Sequence, residues 1–581
     1  MNSISKPPYR VLILDADFVA ALTILRSLSR QGIYCDIASA ISKPLCQSSR
    51  HAKSFFKYPD PLVKTDDFVN FIANLLQENQ YDLVIPVTER SLIPLSESNK
   101  LEPWRNQLAI AEKNSLAQVL DKSKTLELAK TLDISIPFSH PVSTMQEVES
   151  LADKLDYPVV LKPGQSIPNA SQRKQLSVCY AHTPKELLHR SKELLPFCQL
   201  LIQQYAQGIG TGIELLANQG EIVYAFQHQR IHELPLSGGG SCLRKSITVD
   251  PVLLQASEKL ISALNWHGVA MVEFKWQPET KQYWLMEING RFWGSLPLAD
   301  AAGADFPKML FDLLVLNQLP ETRLYKENIY CRKLSADLYW LEQVLRQSDD
   351  PRLFSYPDKK KILSDLLLGL HPTKHFFDVQ SFNDPIPGLL DLFNILKKNT
   401  LRISELMSAK ALVKYHGSKF VQKRLIKKVK QSNTILFLCY GNINRSALAE
   451  AIAEQSGTKN TKVIFHSAGF HKHENRPADS NMVKVADSHG VNLKNSHSTA
   501  LTTDIVNQSD LILAMEVIHL ERLANEYPNA KQKGYLLGSF RAVNSNQQVE
   551  ISDPYNKEIA VYEKIFERIK GAVSHLILQL E

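Results

Sequence analysis

Cys439, Arg445 and Ser446 are spaced so that they can hold and attack a phosphate dianion. The tract TILFLCYGNINRSALAEAIAEQSG runs from an apolar, β-branched stretch into Cys439 and reaches Arg445 after a short loop. It then continues as the good helix former SALAEAIAEQ. A loop between a strand end and a helix start gathers several backbone N–H groups around one point, and the helix dipole adds partial positive charge there. A phosphate dianion fits that nest, and Arg445 can close on two of its oxygens as a bidentate fork. The same field favours thiolate over thiol at Cys439. Ser446 is placed to donate a hydrogen bond to the sulfur, and Asn442, next to Gly441, suits a left-handed position in the tight loop. A bare C-x5-R pair is also what a buried structural cysteine with a chance arginine would give. The strand before it, the Gly-Asn inside it and the helix after it argue for chemistry.

A second set of chemical groups is scattered over four pieces between residues 121 and 294. DKSKTLELAKTLDISIP places Lys122 at a helix start. YPVVLKP ends a buried strand near Lys162, where a cation can reach phosphate. LIQQYAQG, with Gln203, Gln204 and Tyr205, reads as a strand entering a hinge whose backbone can pair with adenine. VAMVEFKW and YWLMEINGRFWG supply Glu273, Glu287 and Asn289 from adjacent strands. Two carboxylates and an amide facing one cavity suit Mg²⁺ bridging ATP phosphates, because magnesium takes hard oxygen ligands and keeps part of its water. Arg291 can hold transferred phosphate. Read singly, a lysine at a strand end is usually just exposed and Glu273 could be an edge-strand charge, so E-I-N-x-R is the specific element. HELPLSGGGSCLRKS either covers this site or makes a plain hairpin turn at Gly238–Gly240. Arg230 and Arg244 are candidate anion contacts.

The elements that must carry these groups are α/β. YRVLIL, the amphipathic VAALTILRSLSRQG and YCDIAS form a βαβ opening that stops at Gly32, and YDLVIPVTE is a further buried strand. No GxGxxG is present, which leaves a dinucleotide reading weak. From about 114 helices alternate with strands, from 320 to 400 helical patterns mix with turns, and 401–430 reads as one or two helices. That last stretch ends in KFVQKRLIKKVK, either an acidic-lipid or partner surface or, more simply, a solvated linker helix. At 581 residues the chain is too long for one core. The spacing divides it into 1–113, a small α/β domain; 114–318, α+β; 319–432, a mostly helical extension and basic linker; and 433–581, a parallel α/β domain.

Bulk composition excludes several classes. A net charge of +7 is small for this length, and without a clustered basic face it points to no nucleic acid. Seven dispersed cysteines with no CxxC pair read as reduced thiols. Asp15 and Asp17 interrupt the first apolar run, so no signal peptide is expected, and no run of about 18 apolar residues suggests a membrane span. A cytoplasmic protein is expected.

The C-terminal tract resembles the low-molecular-weight protein tyrosine phosphatase family over residues 433–581. The family loop C-x-G-N-x-C-R-S appears here as C-Y-G-N-I-N-R-S, and HSAG, DLILAME and DPY follow in the family's order. The resemblance implies that Cys439 attacks phosphorus, Arg445 stabilises the transition state and Asp553 protonates the leaving phenolate. It also implies a four-stranded parallel sheet flanked by helices, with no cofactor, acting on a phosphotyrosine protein or a small phosphoester. Tyr555 would line the mouth for an aromatic substrate or be a packed surface tyrosine. Asn444 replaces the loop's second cysteine, so the family's protective disulfide with the nucleophile cannot form. Asn556 stands where many relatives carry another tyrosine, which leaves substrate preference open.

Residues 9–318 resemble the ATP-grasp superfamily, particularly its carbamoyl-phosphate-synthase-like members. That resemblance implies a small α/β domain followed by two α+β lobes gripping ATP and Mg²⁺. The chemistry it implies is activation of a carboxylate as an acyl phosphate, then attack by an amine. The loop GQSIPNASQRKQ is glycine-poor where the family's is glycine-rich. The expected whole is a bifunctional enzyme, an ATP-dependent carboxylate ligase joined to a phosphatase. An alternative keeps the phosphatase as the only enzyme beside a nucleotide-sensing module. Arsenate reduction on the phosphatase fold needs further cysteines to pass a disulfide along, and none follows Cys439.

Overall fold

The computed structural model describes residues 9–164, 178–236, 238–321, 323–346, 362, 364–365, 371–456, 463–540 and 548–580. They fall into two compact units, Met1–Ile395 and Leu396–Glu581. The glycine-poor loop after Lys162 lies outside the described residues.

The first unit holds three sheets. Strands β1 (Arg10–Ile13), β2 (Tyr34–Ser39), β3 (Ala52–Lys57) and β4 (Leu83–Ile85) pair in parallel in the order β3-β2-β1-β4. The continuous apolar run of β1 suits a parallel strand covered on both faces. Strands β5 (Ser139–Val142), β6 (Val159–Pro163), β7 (Cys179–Ala181) and β8 (Leu200–Gln204) make an antiparallel sheet ordered β5-β8-β6-β7.

The third sheet has seven strands. They are β9 (Ile209–Asn218), β10 (Glu221–Leu234), β11 (Gly240–Ile247), β12 (Gly268–Gln277), β13 (Gln282–Asn289), β14 (Tyr330–Arg332) and β15 (His375–Phe377). Their order is β13-β12-β9-β10-β11-β14-β15, antiparallel except for the last pair. The short strands β14 and β15 come from the stretch whose pattern suggested mostly helix. The glycine-rich tract is the turn of the β10–β11 hairpin. One face of this sheet buries Met271 and Phe226 in a core shared with β1 and the helices Val19–Arg30, Leu296–Ala302 and Phe306–Val315. The opposite face packs Ile213, Val272 and Phe274 against the helix Pro251–Ala263.

An internal ion cluster ties β14 and β15 to the hairpin. His232 lies between Asp337 (Nδ1 to Oδ1, 2.7 Å) and Asp365 (Nε2 to Oδ2, 3.1 Å) and stacks on Trp340 with ring centroids 3.5 Å apart. Arg332 also reaches Asp337. Arg244 is buried against Asp378 at 2.6 Å, which occupies its charge inside the fold rather than at an anion site. Burial alone would lower the His232 pKa, but its hydrogen bonds to Asp337 and Asp365, and their charges, raise it above its usual value. The stabilisation from this raised pKa is therefore full below about pH 6.5, the unfolded value, and is lost as pH rises through the folded value. His232→Gln should destabilise the protein more at about pH 6 than at about pH 9. Thermal melts at the two pH values check this, and an equal loss at both would rule out a charged imidazole.

In the second unit, β16 (Thr434–Cys439), β17 (Ile464–Gly469), β18 (Leu511–Ala514) and β19 (Gly534–Leu536) form the expected four-stranded parallel sheet, ordered β17-β16-β18-β19. The helices Arg445–Gln455, Ser480–Ser488 and Ile559–Ile577 pack on it. The basic segment is the helix Lys419–Val429. It buries Val421, Leu425 and Val429 in the same core, leaving its lysines on the opposite, solvated side. Each of these apolar side chains contributes roughly 1.5–3 kcal/mol by its removal from water. Among the described residues no helix is long and apolar enough to cross a membrane.

Candidate functional site

Strand β16 delivers Cys439 to the C-terminal edge of the second unit's sheet, and the chain turns at once into the helix Arg445–Gln455. Asn442 holds φ at 53°, the left-handed conformation its side chain tolerates. That conformation aims its backbone N–H at Cys439 Sγ, 3.2 Å away. Ser446 Oγ lies 3.0 Å from the sulfur. Ser446 Oγ accepts from Asn442 Nδ2 at 2.9 Å, and its own hydrogen has two acceptors in reach, the sulfur and, at 3.5 Å, the Ala468 carbonyl.

Asn442 is pinned on every side. Its amide also donates to Ser467 Oγ at 2.8 Å, and its carbonyl accepts from the Thr499 N–H at 2.7 Å. Ser467 in turn donates to Glu450 at 2.6 Å. Gly469, beside this loop on β17, has to be glycine, since a Cβ there would come 2.7 Å from the Tyr440 carbonyl oxygen and 2.9 Å from Asn442 N.

Arg445 is almost fully buried and spans three acceptors. Its Nη1 donates to the Ile551 carbonyl at 2.8 Å and to Glu516, and its Nη2 donates to Asp553 Oδ2 at 2.6 Å. Burial acts to lower the Arg445 pKa, yet Cys439, Asp553 and Glu516 together raise it, so the guanidinium stays charged. Asp553 and Tyr555 are partly open to solvent, and the Tyr555 N–H donates to Asp553 Oδ1 at 3.1 Å. The structure thus brings Cys439, Gly441, Asn442, Arg445, Ser446 and Asp553 to one place.

Sequence reasoning missed Glu516 and its neighbour His519. His519 is buried and pushed down to about 3, by burial first and then by Arg445 and Arg522, so it is neutral. Its Nδ1 accepts the Glu516 N–H at 3.2 Å and fixes that residue under Arg445. Glu516 ends the DLILAME tract, and an acidic residue just past a buried strand was the available signal.

The first unit gathers the second set of residues. Glu273 of β12 and Glu287 of β13 are register partners, and Asn289 Nδ2 lies 3.3 Å from a carboxylate oxygen of each. Lys122, in the first turn of the helix Lys122–Thr131, approaches Glu287 at 3.7 Å, and the Asp121 side chain caps that helix. Lys162 is buried. Its pKa falls to about 8, through burial first, with Lys122 and Lys275 adding to the fall and Glu287 and Glu273 opposing it. Arg230 ion-pairs with Glu273 and Glu233, and Lys275 reaches Glu233 at 3.3 Å. Gly210 makes room for that arginine, since a Cβ there would meet Arg230 Cδ at 2.8 Å.

Of the hinge residues, Gln203 turns its side chain inward to Ser139 at 2.8 Å, Gln204 is exposed, and the Tyr205 ring lies 6.4 Å from Tyr180. Arg291 donates to Glu89 at 3.2 Å, a partner from the N-terminal sheet's own helix that sequence reading did not find. Among the described residues no cluster of three or more His, Cys, Asp or Glu side chains gathers as a metal site, and the candidate donor set is two carboxylates and one amide.

Comparison with known proteins defines the class. Residues 434–581 match the family model described as low molecular weight phosphotyrosine protein phosphatase. The low molecular weight protein-tyrosine-phosphatase Etp of Escherichia coli K12 is 34% identical over 140 residues, 24% of this chain and 89% of Etp. Through this domain the chain belongs to the low molecular weight phosphotyrosine protein phosphatase family. Residues 196–335 match a second model, described as ATP-grasp in the biosynthetic pathway with Ter operon. The chain therefore joins a region that matches an ATP-grasp model to a phosphatase domain.

Among solved structures, the tyrosine phosphatase AmsI of Erwinia amylovora is 31% identical. The match covers 25% of this chain and 92% of that one, with a TM-score of 0.23. The L-amino acid ligase from Bacillus licheniformis is 16% identical over 54% of this chain and 75% of that one, with a TM-score of 0.43.

Proposed function

We propose that the chain is a bifunctional enzyme, hydrolysing phosphomonoesters through a cysteinyl-phosphate at Cys439 and ligating a carboxylate to an amine with ATP and Mg²⁺ in its N-terminal unit. Residues 1–113 and 114–318 are its N-terminal domains, with β14 and β15 of the 319–432 extension completing the seven-stranded sheet, and 433–581 is its phosphatase domain, preceded by the helix Lys419–Val429 that packs on it. Its compartment is the cytoplasm, in keeping with seven free cysteines. Its phosphatase substrate is a phosphotyrosine protein or a small phosphoester.

The observation that carries the first activity is the pair of hydrogen bonds converging on Cys439 Sγ, from Ser446 and the Asn442 N–H, beside a buried and charged Arg445. Donors aimed at the sulfur favour the thiolate, and it is the thiolate that attacks. Cys439 displaces the alcohol or phenol from phosphorus, Asp553 supplies the leaving oxygen's proton, and water then releases phosphate. Rapid acid quenching during turnover of an aryl phosphate should trap phosphate on the peptide bearing Cys439. Phosphate trapped only elsewhere would remove the proposal.

The second activity rests on the convergence of Lys122, Lys162, Glu273, Glu287 and Asn289 at one end of β12 and β13. The donor set of Glu273, Glu287 and Asn289 is entirely oxygen if Asn289 presents its carbonyl, and this fits a hard cation such as Mg²⁺. Mg²⁺ held there would neutralise phosphate oxygens. Lys122 and Lys162 would bind the phosphates of ATP, Gln203, Gln204 and Tyr205 would border the adenine, and Arg291 would bind an anion beside them. Phosphate next to Lys162 would also favour its charged form, which burial now disfavours. Glu287→Gln should weaken Mg-ATP binding by roughly 10- to 100-fold and remove ligase turnover. Titration calorimetry with Mg²⁺ and ATP checks it, and an unchanged affinity would remove Glu287 from the site.

A further inference from the structure

We infer that the basic helix Lys419–Val429 docks the phosphatase unit onto an anionic lipid surface, its lysines meeting the headgroups and Phe420 entering the interface among them.

The chain keeps its charge in one place. Residues 406–433 hold eight Lys and Arg and no Asp or Glu, while the remaining residues hold 59 Lys and Arg against 60 Asp and Glu. The whole positive excess of the protein therefore lies in this segment. A helix that only has to stay in water gains from mixing the two signs, because Glu and Lys four residues apart stabilise it and like charges at that spacing oppose it. Here Lys419, Lys423 and Lys427 follow one another at four-residue intervals, as do Arg424 and Lys428. Among the described residues none of these side chains, nor that of Lys430, pairs with a carboxylate.

The fold turns this run into a surface. At about 100° per residue, Lys419, Lys423, Lys427, Phe420 and Arg424 fall within an arc of about 140°, and all five are exposed. Val421, Leu425 and Val429 fall on the other side and are buried in the phosphatase core. The Ser418 hydroxyl caps the helix, accepting from the Val421 N–H at 3.3 Å. Just before it, the Ser539 hydroxyl donates to the His416 carbonyl at 2.9 Å. The basic face is therefore a fixed outer layer of the second unit and not a loose tether.

The second observation is aromatic. Phe420 lies between Lys427 and Arg424 in that arc and is 66% exposed, and Tyr415, five residues earlier, is 47% exposed. A phenylalanine left in water adds little to the fold. At a lipid interface its ring leaves water while the ammonium groups around it stay with the headgroups.

Shape and residue type favour lipid over other polyanions. A helix presents a convex face, which meets a plane of headgroups along its length, whereas single-stranded nucleic acid is held in a groove that tracks its backbone. Lysine supplies seven of the eight charges. Its ammonium is a compact point charge that suits the diffuse field of an anionic leaflet, whereas the bidentate fork of arginine suits fixed phosphates.

Vesicle cosedimentation of the full chain tests the inference. Phosphatidylcholine vesicles that contain phosphatidylglycerol should bind it, and pure phosphatidylcholine vesicles should not. Binding should fall as salt rises from about 50 mM to about 500 mM and shortens the reach of the charges. Each basic residue at such a surface is worth roughly fivefold in binding, about 1 kcal/mol. Replacing Lys423, Lys427 and Lys430 together by Gln should therefore weaken binding on the order of 100-fold. Replacing the same three by Arg should preserve it, which separates lost charge from lost structure. Phe420→Ala should weaken binding by roughly tenfold, since its ring no longer leaves water. No binding to the phosphatidylglycerol vesicles, equal binding to both kinds, or undiminished binding by the Gln or the Ala variant would overturn the inference. So would tighter binding to duplex DNA, to single-stranded RNA or to polyglutamate than to the vesicles, because the partner would then be another polyanion.

Discussion

Cys439→Ser should lower hydrolysis of an aryl phosphate by on the order of 10⁴-fold or more, with Mg-ATP binding unchanged. The substitution keeps the shape of the loop and the donors from Ser446 and Asn442, which can serve a hydroxyl as well as a thiol. It removes the sulfur nucleophile itself and leaves an alkyl hydroxyl, which is a far weaker nucleophile toward phosphorus. Each tenfold loss corresponds to about 1.4 kcal/mol of transition-state stabilisation. The nucleotide arm of the prediction follows from placement, since all the candidate ATP and Mg²⁺ residues, from Lys122 to Arg291, belong to the first unit and Cys439 to the second. The measurements are steady-state hydrolysis and calorimetry on the same preparation. A variant that kept a substantial share of the wild-type rate would show that another group attacks phosphorus.

Asp553→Asn should cost roughly 10²–10⁴-fold with phosphotyrosine, the range of general-acid assistance and about 3–5 kcal/mol. The loss should shrink as the leaving group improves, because an activated phenol departs without a proton. The ion pair of Asp553 with Arg445 makes the series of leaving groups essential. If the carboxylate served only to seat the guanidinium, its removal would misplace Arg445 for every substrate alike. The measurement is kcat/KM over aryl phosphates of graded leaving-group acidity, in wild type and variant. A slope that steepens in the variant identifies the proton donor, whereas parallel lines identify a positioning residue.

The two sites were legible to different degrees. The cysteine loop is a short contiguous segment, so its strand, its left-handed Asn442 and its helix are dictated by neighbours in sequence, and the hydrogen bonds on the sulfur follow from that local path. The second set is dispersed over residues 122–291, yet it too was readable in part. Alternating strands put Glu273 and Glu287 on one face, and the pairing of β12 with β13 then sets them side by side. The basic segment 419–430 was harder to read. Its charges are conspicuous and its three buried residues are not, so only packing shows that it is an outer layer of the phosphatase core.

By itself, then, the sequence determined the α/β classes and the strand-loop-helix that carries Cys439 and Arg445. Those features depend on periodicity, capping and backbone preference over short stretches. The tertiary structure alone decided which charges meet. It brought Glu516 and Asp553 to Arg445 across 71 and 108 residues, Glu273 to Arg230 across 43, and Glu89 to Arg291 across 202. It also added β14 and β15 to the seven-stranded sheet. The physical reason is that an ion pair gains its energy only when two groups come within about 4 Å in partly dry surroundings. A residue's type states the charge it brings, and only the folded path of the chain states which opposite charge it will find.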